Sequence, residues 1–174
     1  VYTPGDLCDV LVAMNAAALK TQLSHAKPQA TIIIDTDSFQ ERDLQKAEFK
    51  TADYLGELGI DRDRVVACPV TQMVKECLAD SGMDNKAILK CKNMFTLGMA
   101  CFIYNRPLDY IFTYLEKKFS KKHPEVIGPN KKVLKDGFNY AANLQIIANT
   151  YTVEPVKNLA KGTYRNITGN QATA

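Results

Sequence analysis

Thr31-Ile-Ile-Ile-Asp35, with Thr36-Asp-Ser38 directly behind it, is the stretch on which the fold turns. The run is β-branched and ends in an acidic residue, which makes it the clearest strand in the chain, and the three residues after it supply loop chemistry. On its N-terminal side, Leu7-Cys-Asp-Val-Leu-Val-Ala-Met14 is a short apolar run suited to a strand buried on both faces. Asn15 follows at an N-cap position and opens an alanine-rich helix from Ala16 to about His25, which Lys27-Pro28-Gln29 breaks. On its C-terminal side, residues 41–64 are mixed and charged, with Tyr54 to Ile60 suggesting a helix or loop excursion. Val65-Val-Ala-Cys68 is a third short strand, stopped by Pro69. Three strands alternating with helices predict an α/β domain with a largely parallel sheet.

Beyond Pro69 the pattern is helical. Thr71 is placed to cap a helix running to about Asp80, and Ser81-Gly-Met-Asp84 reads as a turn. The turn leads into Cys91-Lys-Asn-Met-Phe-Thr-Leu-Gly-Met-Ala-Cys-Phe-Ile-Tyr104. Met94, Leu97, Gly98, Cys101 and Phe102 recur there at helical spacing, while Phe95, Met99 and Ile103 put apolar groups on another face. A helix apolar nearly all round is normally buried between several neighbours. Gly98 in mid-helix costs about 1 kcal/mol against alanine, so something should pack close to it. Asn105-Arg-Pro107 ends this helix, and Leu108 to Phe119 forms another, striped by Leu108, Ile111, Phe112, Leu115 and Phe119. His123-Pro124 breaks again, and Pro129-Asn130 opens a last helix reaching Leu144. Residues 149–155 look extended, 157–164 short and basic, and Gln171 to Ala174 resembles the first turn of a helix. The missing initiating Met and this ending make the chain read as a piece of a longer polypeptide.

At 174 residues, 46% hydrophobic and 24% charged, the chain has enough material for one domain with a proper core. No apolar run approaches the roughly 20 residues of a bilayer span, so no membrane association is expected. The five cysteines, at 8, 68, 77, 91 and 101, lack the two-residue gaps of zinc or iron–sulfur sites and mostly sit in apolar runs. They read as reduced thiols of a cytoplasmic protein with no cluster of its own. Seven lysines between positions 115 and 135 could steer an acidic or phosphate-bearing partner, or form the wet face of two helices. Aromatics are not interleaved with them, which argues against nucleic acid.

In an open parallel sheet, ligands sit outside the carboxyl ends of the strands. Those ends are Met14-Asn15-Ala16, Asp35-Thr36-Asp37-Ser38 and Pro69-Val70-Thr71-Gln72. Each offers amide, hydroxyl or carboxylate groups before a helix, and helix starts favour anions, although caps use the same residue types for structural reasons. Asn15, Asp35, Thr36 and Thr71 lie in these three stretches, and Lys90, Lys92 and Asn93 gather as polar exceptions at the start of the central helix, either as its solvated end or at the mouth of a ligand cleft. No glycine-rich phosphate loop is present. His25 and His123 read as surface histidines, and Asp61-Arg-Asp-Arg64 as a solvated turn.

Taken in order, several stretches resemble a known family: the gamma domain of 2-oxoacid:ferredoxin (acceptor) oxidoreductases. They are Asp9 to Asn15, Thr31 to Asp35, Val65-Val-Ala-Cys-Pro-Val-Thr71, Asn93-Met-Phe-Thr-Leu-Gly98, Pro124-Glu-Val-Ile127 and Asn130 to Ala141. The resemblance implies a Rossmann-like sheet flanked by helices, with a helical C-terminal part and an extended tail. It also implies a gamma domain over residues 1–145, a linker over 146–168 and the start of an alpha domain over 169–174, an order similar to the alpha subunits that act on 2-oxoglutarate. The family reaction is oxidative decarboxylation of a 2-oxoacid with coenzyme A, giving acyl-CoA, carbon dioxide and reduced ferredoxin. Thiamine diphosphate with Mg2+ and an iron–sulfur cluster are then expected in the whole complex, held by the alpha domain and a beta subunit, with ferredoxin as acceptor. Coenzyme A is the co-substrate the resemblance implies near Asn15, Asp35, Thr36, Thr71, Lys92 and Asn93, with Lys90 or Lys92 as its phosphate partner. The chain alone is not expected to turn over. The alternative from another class is a free-standing nucleotide- or protein-binding module.

Overall fold

A computed structural model describes residues 7–144, 151–152, 157 and 160–163. Its centre is the isoleucine run. Side chains alternate faces along a strand, so three successive isoleucines must find apolar cover on both sides. They do: Ile32 and Ile34 enter one core and Ile33 another, none more than 1% exposed. Their strand is β2 (Ala26–Asp35), which lies between β1 (Cys8–Ala13) and β3 (Val65–Cys68) and runs parallel to both. Leu11 stands opposite Ile32, Ile32 opposite Val65, and Asp35 opposite Cys68.

Strand order β1-β2-β3 means that both crossovers step the same way. Right-handed connections then place their helices on a single face. That face carries α1 (Ala16–Gln22), α2 (Glu41–Lys46) and α3 (Tyr54–Glu57), which bury Leu19, Leu44 and Leu55 against Ile32 and Ile34. After β3 the chain passes to the other face. There α4 (Val70–Cys77), α5 (Asn85–Lys90), α6 (Lys92–Ile103) and α8 (Ile127–Asn143) enclose Val74, Ile88, Phe95, Met99 and Val133 with Ile33 and Val66. The helix α7 (Asp109–Phe119) buries Leu115 and half-buries Ile111, Phe112 and Phe119.

Several expectations need correction. β1 is half-buried from Cys8 to Val12, because among the described residues it is an edge of the sheet rather than an interior strand. α1 ends at Gln22 and tightens into a 3-10 turn over Leu23–His25. Lys27-Pro28-Gln29 does not end an element; it lies inside β2. Cys8 pairs with Ala26 but Val10 with Thr31, so the proline triplet is thrown out of register as a bulge, where its missing N–H costs no ladder bond. Thr71 is the second residue of α4 rather than its cap, and that helix stops at Cys77 instead of Asp80. The turn before the central helix hides a helix of its own: Asp84 accepts a hydrogen bond from the Ala87 N–H at 2.7 Å and starts α5. In α6 the buried set is Phe95, Thr96, Gly98, Met99, Cys101 and Ile103, whereas Leu97 is 37% exposed. α8 opens at Ile127, with Pro129 in its first turn.

The close approach expected at Gly98 is real and reciprocal. A Cβ there would lie 2.1 Å from the Leu134 carbonyl oxygen, and one at Gly137 would lie 1.9 Å from that of Phe95. Each of the two crossing helices therefore offers a bare backbone to the other.

All five cysteines are free thiols, four of them buried. Burial pushes the Cys68 thiol up to about 11, partly offset by a hydrogen bond with Tyr140, and burial with Asp136 alongside pushes Cys77 up to about 12. Of the seven lysines, Lys131 pairs with Glu116 and Lys132 donates to the Cys77 carbonyl at 2.6 Å, while those at 117, 118, 121, 122 and 135 are exposed. The solvated face of two helices accounts for them. His25 and His123 are exposed. Arg62–Arg64 forms a 3-10 turn in which Arg62 pairs with Asp53 at 2.7 Å. No helix among the described residues is long and apolar enough to cross a membrane. The Tyr151 N–H donates to the Ile103 carbonyl and its ring stacks on Tyr104; of the linker, residues 157 and 160–163 are exposed and irregular, while its other residues beyond 152 and the alpha-domain start lie outside the described residues.

Candidate functional site

The parallel strands deliver three loops to one edge of the sheet, and Asp35 ties them together. Its side chain is fully buried at the end of β2. It accepts hydrogen bonds from the Ser38 hydroxyl (3.0 Å), the Thr71 hydroxyl (3.0 Å) and the backbone N–H groups of Asp37 and Thr71 (both 3.3 Å). The Lys92 ammonium, at the start of α6, sits 2.5 Å from its Oδ2 and 3.4 Å from the Ser38 hydroxyl. Burial alone would raise the Asp35 pKa. The hydrogen bond and charge of Lys92, with Ser38 and Thr71, outweigh it and hold the carboxyl below its usual range. One carboxylate thus joins β2, α4 and α6.

The start of α4 was a candidate place for capturing an external anion. The fold fills it from within: Asp35 takes the Thr71 N–H and Asp37 takes the Gln72 N–H at 2.8 Å. These are orphan donors of a first turn, and the chain's own carboxylates complement the helix dipole there.

In front of this network opens a cleft of about 510 Å3. Met14 and Asn15 border it from the end of β1, Asp37 and Ser38 from the loop after β2, and Asp43 from α2. Leu89 of α5 and the Lys92–Asn93 pair of α6 close the opposite side. Asn15 uses its carbonyl to cap α1, accepting from the Ala18 N–H at 2.8 Å, so its amide N–H2 remains to face the cleft. Asn93 is exposed at the first turn of α6.

Of the residues singled out in the sequence, Asn15, Lys92 and Asn93 meet in this cleft. Asp35 lies behind Lys92, and Thr71 joins through Asp35. Thr36 stands apart: its carbonyl accepts from the Gln40 side chain and the Phe39 N–H, and it does not border the cleft. Lys90 is exposed and also outside it. The residues not singled out are Asp37, Ser38 and Asp43. The first two belong to the loop chemistry after β2 and were legible as such. Asp43 lies in a stretch with charges on every side, and nothing local marks it.

A doubly covered parallel sheet with a polar cleft at its carboxyl edge defines an α/β domain of the open-sheet type, and the comparison with known proteins gives its family. The family model of pyruvate ferredoxin/flavodoxin oxidoreductases matches residues 1–140, and the chain belongs to that family. It is 35% identical, over its whole length, to the 2-oxoglutarate oxidoreductase subunit KorA of Mycobacterium tuberculosis (strain ATCC 25618 / H37Rv), of which it spans 26%. A solved structure of similar fold is the 2-oxoglutarate:ferredoxin oxidoreductase from Magnetococcus marinus with 2-oxoglutarate, coenzyme A and succinyl-CoA bound. That match has a TM-score of 0.59 and 24% identity, and covers 88% of this chain and 23% of the other. The chain thus spans about a quarter of the length of the relatives it matches.

Proposed function

We propose that the chain is the gamma-domain part of a 2-oxoglutarate:ferredoxin oxidoreductase. That enzyme decarboxylates the oxoacid oxidatively with coenzyme A to acyl-CoA, carbon dioxide and reduced ferredoxin. The observation that carries this reading is the end-to-end 35% identity with a 2-oxoglutarate oxidoreductase subunit, inside a family match over residues 1–140. In this reading residues 1–145 are the gamma domain, 146–168 a linker and 169–174 the start of an alpha domain. Thiamine diphosphate, Mg2+ and an iron–sulfur cluster would be held by the alpha domain and a beta subunit, in a cytoplasmic complex that passes electrons to ferredoxin. What this part contributes is a preformed polar wall for coenzyme A, with Asn15 and Asn93 as direct hydrogen-bonding groups. Asp35, Thr71 and Ser38 fix the direction in which Lys92 points.

The test uses the complete enzyme, purified from its own cells without oxygen. Viologen reduction should appear with 2-oxoglutarate, outrun that with pyruvate or branched-chain oxoacids, and require coenzyme A. Absence of reduction with every oxoacid would leave a binding module instead. In the active enzyme Asn93→Ala should raise the KM for coenzyme A about fivefold, the worth of one neutral hydrogen bond, with kcat little changed. An unchanged KM removes Asn93 from the site.

A further inference from the structure

Among the described residues four large apolar side chains are more than a third exposed: Leu7, Leu97, Tyr110 and Tyr114. Scattered singly they would be ordinary, whereas a contiguous patch marks a contact. Leu97 stands four residues before Cys101 on α6, and Cys101 lines a hollow of about 300 Å3 with Arg106, Pro107, Tyr110 and Ile111. Tyr110, 78% exposed, also borders a second hollow of about 500 Å3 with Asp109, Thr113, Tyr114 and Lys117. The inner stripe of α7 is complete without these rings: Leu115 is buried, and Ile111, Phe112 and Phe119 are half-buried. Tyr110 and Tyr114, one turn apart, form an outer stripe that continues through Lys117 and Lys118. Solvation explains the lysines there, but not two tyrosines turned into water beside them.

The charge around the rings has one sign. From Arg106 to Lys122 the chain carries five cations and two carboxylates. Glu116 is taken by Lys131 of α8, which leaves Asp109 at the start of α7. Arg106, Lys117, Lys121 and Lys122 have no carboxylate at ion-pair distance among the described residues. Lys118 lies over the rings of Tyr114, at 5.3 Å, and Phe119, at 5.4 Å. Exposed tyrosines with cations at their margin have the make-up of a protein–protein contact, and the cations select an acidic partner and speed its approach. A nucleic acid fits less well, because Lys118 already covers a face of Tyr114 on which a base would stack. We propose that this face of α7 docks an acidic protein, one that presents an aliphatic or aromatic side chain between carboxylates. The apolar group seats against Tyr110 and Tyr114, and the carboxylates meet Arg106, Lys117 and Lys121. This inference is independent of the coenzyme A reading.

The experiment is zero-length carbodiimide cross-linking, which joins a lysine ammonium to a carboxylate in contact with it. It is run in anaerobically permeabilised native cells making the complete protein, and the links are read by peptide mass spectrometry. Lys117, Lys118 or Lys121 should be linked to an aspartate or glutamate of a second, acidic polypeptide. In Tyr110→Ala/Tyr114→Ala the yield of those links should drop about tenfold, because aromatic anchors carry most of such a contact. Links from Lys86, exposed on α5, should stay unchanged. Both tyrosines are exposed, so the variant should keep the wild-type melting temperature. Raising salt from about 0.05 M to about 0.5 M should also lower the yield. Links that survive the loss of both tyrosines would report random collision with a basic surface, and the inference falls. It falls equally if these lysines link only within the same polypeptide, to a second copy of it, or to nothing. Links that form only after nuclease digestion would put a nucleic acid on the face instead, and overturn it as well.

Discussion

Gly98→Ala should open the α6–α8 half of the domain. The added methyl would meet the Leu134 carbonyl oxygen at 2.1 Å and the Phe138 nitrogen at 2.8 Å, both backbone atoms that cannot swing away. Alanine gains up to about 1 kcal/mol in helix propensity over glycine. Forcing two packed helices apart costs about 3 kcal/mol, so the clash wins. In the full-length protein the amides of α6 and α8 should exchange hydrogen roughly tenfold to a hundredfold faster, in proportion to the net loss. Gly137→Ala, aimed at the Phe95 carbonyl from the other side, should do the same. Gly128, with nothing within 4 Å of its virtual Cβ, is the control: alanine there should leave exchange unchanged or slower. Equal exchange in Gly98→Ala and wild type would mean that the helices do not cross this closely.

Asp35→Ala should be the second large effect. It strands the Thr71 N–H and hydroxyl, the Ser38 hydroxyl and the Lys92 ammonium in one step. Breaking a buried pair by deleting one partner costs on the order of 3–5 kcal/mol. Lys92 keeps 18% of its side chain exposed and can turn toward water, which favours the lower end. The pH dependence has a definite sign. The Asp35 pKa is lowered by folding, so its contribution is present above the unfolded carboxylate value of about 4 and disappears as pH falls through the folded one. The denaturation midpoints of wild type and Asp35→Ala should therefore differ most near neutrality and converge as the pH is taken below the ordinary carboxylate value and through the lowered folded one. A gap that stays constant over that range would show that Asp35 is not ionised in the native protein.

The contrast between these two sites marks what a single chain reveals. Gly98 was legible because an otherwise good helix carries a residue that helps only if a neighbour needs the space. The three strands were legible because Ile32 to Ile34 and Val65 to Cys68 are β-branched or small and end at loop chemistry. Helix α5 was not: Asn85 to Lys90 is a six-residue helix joined to α6 through Cys91 alone, and its periodicity runs on into the next. Whether β1 is buried on both faces depends on what stands beside it, which its own residues cannot encode. Asn15, Lys92 and Asn93 could be singled out because helix starts announce themselves. That Thr71 would serve Asp35 could not, because the link depends on strand register: Asp35 lies opposite Cys68, which sets its carboxylate beside the first turn of the helix three residues on. Asp43 faces the cleft only because α2 packs where it does.

The crossing at Gly98 also bears on the candidate cleft. Asn93 stands five residues before Gly98 on the same helix, about 7.5 Å along its axis. Interlocked backbones leave α6 no room to slide or roll at that point, and Lys92 is tethered through Asp35 to the sheet. One wall of the cleft is consequently set when the protein folds rather than when a ligand arrives. A ligand that met this wall would forfeit little backbone freedom, and more of the intrinsic contact energy would survive as measured affinity.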